Sequence, residues 1–287
     1  MISTTNNVPI SKFIYDKVFQ IKMKDVYNYY KNFDTNMFNK EFRLFGKTPN
    51  YVSFGTDGII RDILFVESQN KAKSIYYFQP TYMMVPKYAE TFGLKFAEST
   101  NTADILYLEF PNGHGLFNFS DLDLHTYISS HKDQKIILDL SYAAYMFRDV
   151  KDLYDFAYNI SRDSNVYAIF GLSKLLGVPG LRIGFCFCKN PEIFNNFHQP
   201  WQVSSASMEI AFQIYNEATI RKHIEIIKES KESWISYFKS QYLYPVNIST
   251  GPFIYYPTSD YNHLFKNLGN GIYRFSVVDF EFKDSII

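Results

Sequence analysis

Lys174 lies in the stretch of the chain whose residue types are best suited to covalent chemistry. Short apolar runs on either side of it, residues 166–170 and 184–188, predict two buried strands. A lysine at the mouth of a buried strand is unusual, because lysine is almost never fully buried unless it is paired. Two interpretations of Lys174 are open: a surface lysine in a loop, or an amine nucleophile that forms a Schiff base with a carbonyl compound.

The neighbours of Lys174 favour the nucleophile. Ser173 offers a hydroxyl beside the amine, and Arg182 offers, eight residues further on, a planar guanidinium that suits phosphate. A turn spaced by Gly177 and Gly180 connects them. An amine, a hydroxyl and a guanidinium around such a turn would suit a phosphorylated aldehyde.

The residues around Lys174 follow a spaced pattern, Ser173-Lys174-x-x-Gly177-x-x-Gly180-x-Arg182-x-Gly184. This pattern resembles the lysine motif of fold-type I pyridoxal-phosphate aminotransferases, in particular the histidinol-phosphate aminotransferase-like branch, which also contains threonine-phosphate decarboxylases. The resemblance runs from about Tyr51 to Ser276. It implies pyridoxal 5'-phosphate as the cofactor, with Ser173 and Arg182 on its phosphate. Position 171 is Gly where the family usually has Ser or Thr, which removes one phosphate ligand.

The triplet Gly55-Thr56-Asp57 follows a short predicted strand and begins a predicted helix. The first amides of a helix form a ready site for anions, and Thr56 or Asp57 would suit the N-cap. An ordinary capped turn has the same composition. The triplet is similar to the Gly-Ser/Ala-Asp phosphate loop of the family, which implies that Gly55, Thr56 and Asp57 contact the cofactor phosphate.

Two further segments are similar to family loops around the cofactor ring. Pro80-Thr81-Tyr82 matches a Pro-Thr-Tyr whose aromatic ring stacks on the pyridine, which implies that role for Tyr82, with a structural tyrosine as the alternative. The segment 109–115 is a degraded match to Asn-Pro-x-Asn-Pro-Thr-Gly and implies that Asn112 contacts the phenolic oxygen of the cofactor. His114 is either a local proton carrier or substrate contact, or an exposed loop residue.

Asp139 lies near the carboxyl end of a buried predicted strand, residues 135–140, and ligands of open α/β sheets bind at the carboxyl ends of the strands. Its side chain would either cap a helix or pair with a protonated pyridine nitrogen, which makes the ring an electron sink. The Asp-x-x-Tyr pattern of the family favours the pairing. It also implies that the Tyr142 hydroxyl donates toward the ring oxygen.

Arg274 stands in an Arg-x-Ser that is similar to one whose guanidinium holds the substrate α-carboxylate in the family. A surface arginine on a strand of a small lobe is the alternative. Between a predicted helix around Leu264–Phe265 and Arg274 the family has a longer stretch, and its final helix is nearly absent here. The resemblance therefore implies a reduced small lobe.

The composition limits the class of protein. The 287 residues are enough for one globular unit of one or two lobes, and no apolar run of about 18 residues predicts a membrane span. Lys plus Arg equals Asp plus Glu, at 29 each, so nothing indicates a nucleic-acid partner. The first residues lack the layout of a signal peptide, and Cys186 and Cys188 fit neither a disulfide framework nor a zinc site. We expect no metal site and a cytoplasmic protein.

The expected fold is α/β, of the fold-type I pyridoxal-phosphate transferase class, with a mostly parallel seven-stranded sheet flanked by helices and a reduced small α+β domain. We expect an N-terminal arm with helices in residues 1–50, a large cofactor-binding domain in 51–200, and a linking helix with the small domain in 201–287. The resemblance also implies a homodimer. Tyr29 or Tyr30 would then either reach the partner's cofactor or be plain packing aromatics.

The expected function is that of a pyridoxal-phosphate-dependent aminotransferase, which moves an amino group between an amino acid and a keto acid through a Schiff base on Lys174. In that function Lys174, Asp139 and Tyr142 are the catalytic residues, and Lys174 moves the proton. A decarboxylase or lyase with the same cofactor is the alternative, since the same residues serve both. A cofactor-free binding protein that keeps the fold is a third hypothesis.

Overall fold

The computed structural model describes residues 10–21, 42–112, 121–163, 165–197, 203–257, 264–269 and 271–286. Tyr29, Tyr30 and His114 lie outside the described residues, so the expectations for them stay predictions. Within the described residues the chain forms two β-sheets, and the helices that follow the strands of the larger sheet lie against it.

The larger sheet forms the centre of the fold. Its strands are β1 (Tyr51–Phe54), β2 (Ser74–Tyr77), β3 (Lys95–Phe96), β4 (Ile105–Glu109), β5 (Lys135–Asp139), β6 (Val166–Gly171) and β7 (Ile183–Phe187). Their spatial order is β1-β7-β6-β5-β4-β2-β3. β7 runs antiparallel to both of its neighbours, and the other pairs are parallel. The prediction of a mostly parallel seven-stranded sheet is confirmed.

The central strands are apolar on both faces. β6 reads Val-Tyr-Ala-Ile-Phe-Gly and is buried at every position, and β5 reads Lys-Ile-Ile-Leu-Asp with its last four residues buried. Ile137 and Ile169 belong to one core cluster, whereas Leu138 and Phe170 belong to the other. Neighbouring residues of a strand point to opposite faces, so the sheet separates two hydrophobic layers.

Helices connect strands of the larger sheet, and further helices precede and follow it. They are α1 (Lys12–Gln20), α2 (Gly55–Gln69), α3 (Met84–Thr91), α4 (Asp121–Ser130), α5 (Val150–Ile160), α6 (Leu172–Leu175), α7 (Ser205–Ile214), α8 (Glu217–Ser240) and α9 (Lys283–Ile286). The connecting helices, between β1 and β7, are α2 to α6. α8 buries Ile220, Ile224, Ile227, Trp234 and Phe238, as their helical spacing predicts. Within the described ranges, no helix is both long enough and apolar enough to cross a membrane.

A smaller antiparallel sheet follows α8. Its strands are β8 (Asn247–Ile248), β9 (Phe253–Tyr256), β10 (Lys266–Gly269) and β11 (Ile272–Ser276), in the order β10-β11-β9-β8. Trp234 of α8 holds this sheet, since its ring lies 4.9 Å from the ring of Phe275 and its Nε1 donates to the Val278 carbonyl at 2.8 Å. Residues 264–265 lead directly into β10, so the helix predicted around them is wrong.

The N-terminus of α2 differs from the sequence prediction. The helix begins at Gly55, where φ is +71°, and the cap position is occupied by Phe54 without a side-chain hydrogen bond. Thr56 and Asp57 lie inside the first turn, so the prediction that one of them is the N-cap is wrong. A carboxylate in the first turn still interacts favourably with the helix dipole.

Candidate active site

A cavity of about 300 Å³ opens at the carboxyl ends of β4, β5 and β6 and reaches across to the smaller sheet. Parallel strands of an open α/β sheet bind ligands at this edge. The cavity is lined by Thr56, Asp57, Thr81, Tyr82, Met83, Glu109, Pro111, Asp139, Ser141, Tyr142, Gly171, Ser173, Lys174, Pro179, Arg182, Lys266 and Arg274. Most of the residues that the sequence analysis selected therefore meet in one place.

Lys174 lies on the single-turn helix α6, directly after β6. Burial lowers the pKa of its amine from the ordinary 10.5 to about 8; the Arg274 and Arg182 guanidinium groups act in the same direction, and the Asp139 carboxylate opposes them. The Nζ atom lies 5.2 Å from the centroid of the Tyr142 ring. A substantial fraction of this amine is uncharged near pH 8, which an amine needs to attack a carbonyl.

One end of the cavity is built to receive an anion. Arg182 closes a tight turn with φ of +49°, and its guanidinium packs directly on Gly55 at the start of α2. A Cβ atom added to Gly55 would lie 3.0 Å from Arg182 Nη2, so only glycine leaves this space open. Ser173 and the first amides of α2 add hydrogen-bond donors to the guanidinium. These groups form the anion pole of the cavity, and they match the donors that a phosphate requires.

The glycine at position 171 has a structural reason. A Cβ atom there would come within 2.7 Å of the Ile183 carbonyl oxygen and 3.3 Å of the Thr56 methyl group. A Ser or Thr at this position, as the resembled family has, would require β7 or Thr56 to move. Thr56, which carries a hydroxyl of its own, lines the cavity beside Gly171.

The Asp57 carboxylate fixes aromatic side chains. It accepts hydrogen bonds from the hydroxyls of Tyr82 at 3.2 Å and of Tyr88 at 3.0 Å, and Arg182 Nη2 lies 3.9 Å away. Burial and the nearby Asp57 raise the pKa of both phenols. Asp57 therefore orients the Tyr82 ring along the cavity wall and can offer an anion only its backbone N–H.

Glu109 is a cavity carboxylate that the sequence analysis did not select. Its side chain accepts from the Thr81 hydroxyl at 2.9 Å and from the backbone N–H of Tyr82 at 2.7 Å, so it holds the segment that carries the Tyr82 ring. Glu109 is paired in register with Asp139 on the next strand. A charged residue at the end of β4, beside a strand that ends in Asp139, was the signal available in the sequence.

Asp139 is buried at the floor of the cavity. Its side chain accepts a hydrogen bond from the Tyr107 hydroxyl at 2.7 Å and from the backbone N–H of Ser141 at 2.9 Å. Burial and the adjacent Asp139 raise the pKa of Tyr107 well above its ordinary value, so this phenol stays a donor. The carboxylate is held rigidly and faces Lys174 from the neighbouring strand.

Arg274 is a buried side chain, not a surface arginine. It is 2% exposed, and its guanidinium lies 4.5 Å from the centroid of the Phe253 ring. Lys266, its register partner on β10, also lines the cavity, and burial, Arg274 and Lys174 lower the pKa of its amine. The smaller sheet thus adds two cations to the cavity wall. Lys266 was not predicted from the sequence, because only strand pairing sets it beside Arg274.

Two predicted residues are not among those that line the cavity within the described part of the chain. Gly55 contributes through its backbone, against which Arg182 packs. Asn112 is 5% exposed, and its amide donates to the Pro80 carbonyl at 3.4 Å. Asn112 therefore contacts the turn that precedes Tyr82, and its predicted role toward a ring oxygen stays a prediction.

The residues of the cavity fit a phosphorylated aldehyde with a basic ring nitrogen. The anion pole lies on one side, an amine with a lowered pKa lies beside it, and the Asp139 carboxylate ends the neighbouring strand. An aromatic ring, that of Tyr82, stands along the wall. This is the donor and acceptor set that the sequence analysis expected for such a molecule.

Residues 124–268 match the family model described as aminotransferase class I and II. No curated protein matches the chain. Among solved structures, the histidinol-phosphate aminotransferase of Clostridium acetobutylicum is 15% identical with a TM-score of 0.73, and the alignment covers 99% of this chain and 96% of that one. The Sinorhizobium meliloti histidinol-phosphate aminotransferase, solved in complex with pyridoxal-5'-phosphate, is 14% identical with a TM-score of 0.71, over 96% and 84%.

A structure of a different activity is also similar. The L-threonine-O-3-phosphate decarboxylase of Porphyromonas gingivalis is 17% identical with a TM-score of 0.61, over 79% of each chain. At these identities the likeness concerns the fold, which all three proteins share with this chain.

We expect Gly184→Ala to destabilise the protein by about 1–3 kcal/mol, as overpacking of a close contact does. The new Cβ would lie 2.3 Å from the Gly55 carbonyl carbon and 2.5 Å from the Thr56 amide nitrogen, so the start of α2 must move. The urea unfolding midpoint measures the effect. Gly180→Ala is the matched control, because its Cβ meets nothing within 4 Å. Equal midpoints for the two variants would contradict the packing described.

We expect Arg274→Gln to raise the pKa of Lys174 above about 8, since it removes a cation that disfavours the ammonium form. The pH dependence of the reaction of Lys174 with acetic anhydride, followed by mass spectrometry of the labelled peptide, measures this pKa. Arg221→Gln serves as the control, because that exposed guanidinium pairs with Asp149 and Glu217. An unchanged pKa of Lys174 in Arg274→Gln would show that the Arg274 charge does not act on this amine.

Proposed function

We propose a function for this chain, which belongs to the class I and II aminotransferase family. Its function is that of a pyridoxal-phosphate-dependent aminotransferase, which moves an amino group between an amino acid and a keto acid. One observation carries this proposal: the Lys174 amine, with its pKa lowered to about 8, lies in one cavity with the anion pole, Asp139 and Arg274. An amine, a phosphate site, a carboxylate for a ring nitrogen and a carboxylate-binding arginine are what this reaction requires.

The cofactor is pyridoxal 5'-phosphate, and the residues that would hold it line the cavity, apart from Gly55 and Asn112. Lys174 would bind its aldehyde carbon, and Asp139 would pair with its ring nitrogen. Its phosphate would bind at the anion pole, which comprises the backbone of Gly55, Thr56 and Asp57 together with the side chains of Ser173 and Arg182. Tyr82 would stack on the ring, and Tyr142 and Asn112 would contact its phenolic oxygen. When bound, the cofactor supplies an electron sink for the bond that breaks at the substrate Cα.

Lys174 would also move the proton of the reaction. Its uncharged Nζ can accept the proton from the substrate Cα, and the ammonium so formed can then donate a proton in the next step. A pKa near the working pH serves both transfers. The Tyr142 ring beneath Nζ restricts where the amine can swing. The rigid burial of Asp139 and Tyr107 keeps the opposite side of the site fixed while Nζ moves.

Arg274 would bind the α-carboxylate of the amino acid. A buried guanidinium can form a bidentate pair with a carboxylate, and that pair would fix the orientation of the substrate Cα. Because Arg274 comes from the smaller sheet and Lys174 from the larger one, the substrate would bridge the two sheets. Any shift of one sheet against the other would then change catalysis.

The oligomeric state, the division into domains and the cellular location are further parts of the proposal. A homodimer is proposed from the family, and the exposed aromatic Phe54, 50% exposed next to Arg182, supports a second subunit near the cavity mouth. The division into residues 1–50, 51–200 and 201–287 and the cytoplasmic location are proposed on the sequence alone.

A decarboxylase of phosphorylated amino acids is the second candidate. Two observations favour it: the similarity to the L-threonine-O-3-phosphate decarboxylase structure, and the Lys266 amine beside Arg274 in the cavity. Two neighbouring cations would suit a substrate with a second acidic group. The lysine, the carboxylate and the anion pole serve either reaction, so the products decide between them.

We expect the purified protein to develop a visible absorption band with pyridoxal phosphate and Lys174→Ala to lack it. Lys174→Ala should also lose activity by at least about 10²-fold, the contribution of a general acid or base. Lys189→Ala is the control for loss of a lysine, since Lys189 is an exposed residue after β7. A wild-type protein that stays colourless with excess cofactor would contradict an enzymatic function and favour a cofactor-free relative of the fold.

We expect amino acids to convert the bound cofactor stoichiometrically into its amine form and to release a keto acid. A transaminase does this in a single half-reaction without a second substrate. Absorbance and mass spectrometry of the released acid follow the conversion. Release of CO2 with the cofactor left in its aldehyde form would favour the decarboxylase instead.

A further inference from the structure

His223 is a buried histidine that lies outside the candidate active site. It stands in the first half of α8, is 0% exposed, and does not line the cavity. Ser11 Oγ lies 2.8 Å from its Nδ1 atom, and the Tyr145 hydroxyl lies 3.2 Å from its Nε2 atom. Burial lowers the pKa of the imidazole to about 3, so it is neutral in the folded protein. In a neutral histidine one ring nitrogen carries a hydrogen and donates, and the other accepts, so its two hydrogen bonds run in the same direction through the ring.

The direction follows from the proton count. The Tyr145 hydroxyl donates its single proton to the Lys174 carbonyl oxygen at 2.7 Å, so toward His223 it must accept. Nε2 therefore carries the hydrogen, and Nδ1 accepts from the Ser11 hydroxyl. Ser11 Oγ in turn accepts the backbone N–H of Ile14 at 3.3 Å as the N-cap of α1. Ser11, His223, Tyr145 and the Lys174 carbonyl thus form one continuous chain in which each proton is used once.

The carbonyl at the end of this chain belongs to a helix that needs support. α6 has only four residues, and the bond from the Leu176 N–H to the Leu172 carbonyl closes its single turn. The last carbonyls of a helix have no partner within it, so the Tyr145 hydroxyl satisfies one of them. Tyr145 lies three residues after Tyr142, whose ring contacts the Lys174 amine. The segment 142–145 therefore contacts both the backbone and the side-chain end of Lys174.

The opposite end of the chain is anchored to α1. The Lys12 N–H donates to the Asp279 carboxylate at 2.8 Å, and the Asp279 N–H donates to the Ile10 carbonyl at 2.8 Å. Ser11 lies between these two contacts. The hydroxyl that reaches His223 is thus held where α1 meets the segment that follows β11.

We propose that Ser11, His223 and Tyr145 are positioning residues that set the place of Lys174 and make it depend on the docking of α1. This inference goes beyond the proposed function in assigning residues outside the cavity, and it rests on that function only for the use of Lys174 as the cofactor amine. Loss of the Tyr145 hydroxyl leaves the Lys174 carbonyl without this donor. α6 then loosens, and Nζ gains water.

Tyr145→Phe tests the chain by removing the hydroxyl alone. We expect the pKa of Lys174 to rise from about 8 toward its ordinary value, because water relieves the burial that lowers it. The pKa is measured on the full chain without cofactor, from the pH dependence of acetic anhydride labelling read by mass spectrometry. Lys231, another partly buried amine whose pKa desolvation lowers to about 8, is the internal reference and should not change. Affinity for pyridoxal phosphate, measured by absorbance titration, should fall about three- to tenfold.

Tyr154→Phe is the matched control. Its hydroxyl is also buried and hydrogen-bonded, to the hydroxyl of Tyr215, and it has no contact with Lys174 in the described part of the chain. Both variants should lose comparable stability, and only Tyr145→Phe should change the labelling of Lys174. Equal effects of the two variants on Lys174 would overturn the proposal, because the effect would then be general loosening.

His223 variants test the middle of the chain. His223→Gln keeps an N–H that can reach the Tyr145 oxygen and should retain most of the wild-type pKa of Lys174, whereas His223→Leu should reproduce Tyr145→Phe. The double variant with Tyr145→Phe and His223→Leu should change Lys174 no more than either single variant, since residues of one chain are not additive. Additive shifts in the pKa of Lys174 would contradict the proposal that Tyr145 and His223 act through one chain of hydrogen bonds.

The hydroxyl at the α1 end gives a smaller substitution in case the Tyr145 and His223 variants do not fold. Ser11→Ala should move the pKa of Lys174 in the same direction by a smaller amount, whereas Ser204→Ala, which removes the N-cap of α7, should not. No difference between these two variants would contradict a dependence on α1. If pyridoxal phosphate does not bind the wild type while Tyr145→Phe still shifts the pH dependence of Lys174 labelling, the proposed function is wrong. The positioning role of the hydrogen-bond chain is then still supported.

Discussion

The partial burial of one amine, that of Lys174, is the constraint on which the site depends. An ammonium loses hydration when it is buried, and Arg274 and Arg182 add repulsion, so Lys174 keeps its proton less firmly than a surface lysine. The Asp139 carboxylate acts in the opposite direction and keeps the pKa of Lys174 from falling further. The amine is therefore balanced between its two forms near pH 8. Binding of an aldehyde and movement of a proton both follow from that balance.

The topology brings these charges together from distant parts of the sequence. Parallel strands β5 and β6 end side by side, which places Asp139 one strand away from the start of the Lys174 helix. The antiparallel return of β7 brings the Gly184 backbone against Gly55, so the lysine turn and the anion pole share one wall. α8 then carries the chain to the smaller sheet, which supplies Arg274. The larger sheet thus positions Lys174, Asp139 and the anion pole, and the smaller sheet adds Arg274.

Much of this arrangement was predictable from local sequence. The apolar runs gave the strands of the larger sheet, because a strand buried on both faces has a continuous apolar sequence. The spacing around Lys174 gave the turn and the guanidinium. The prediction of an N-cap at Thr56 or Asp57 was wrong, since the positive φ of Gly55 starts the helix earlier and the Asp57 carboxylate binds two phenols instead.

Other features depend on contacts that no local pattern contains. Lys266 reaches the cavity through pairing with Arg274 across a hairpin, and the reason for Gly171 is the approach of the Ile183 carbonyl from another strand. The contact of His223 with Tyr145 joins residues 78 positions apart. Such contacts are set by packing of whole elements.

The most direct test of the account is to reduce the complex of the protein and pyridoxal phosphate with borohydride and to locate the modified residue by peptide mass spectrometry. We expect one modified site, on the peptide that contains Lys174, with the yield rising as pH increases through about 8. Modification of another lysine, of Lys266 for example, or several lysines modified to the same low extent, would contradict it.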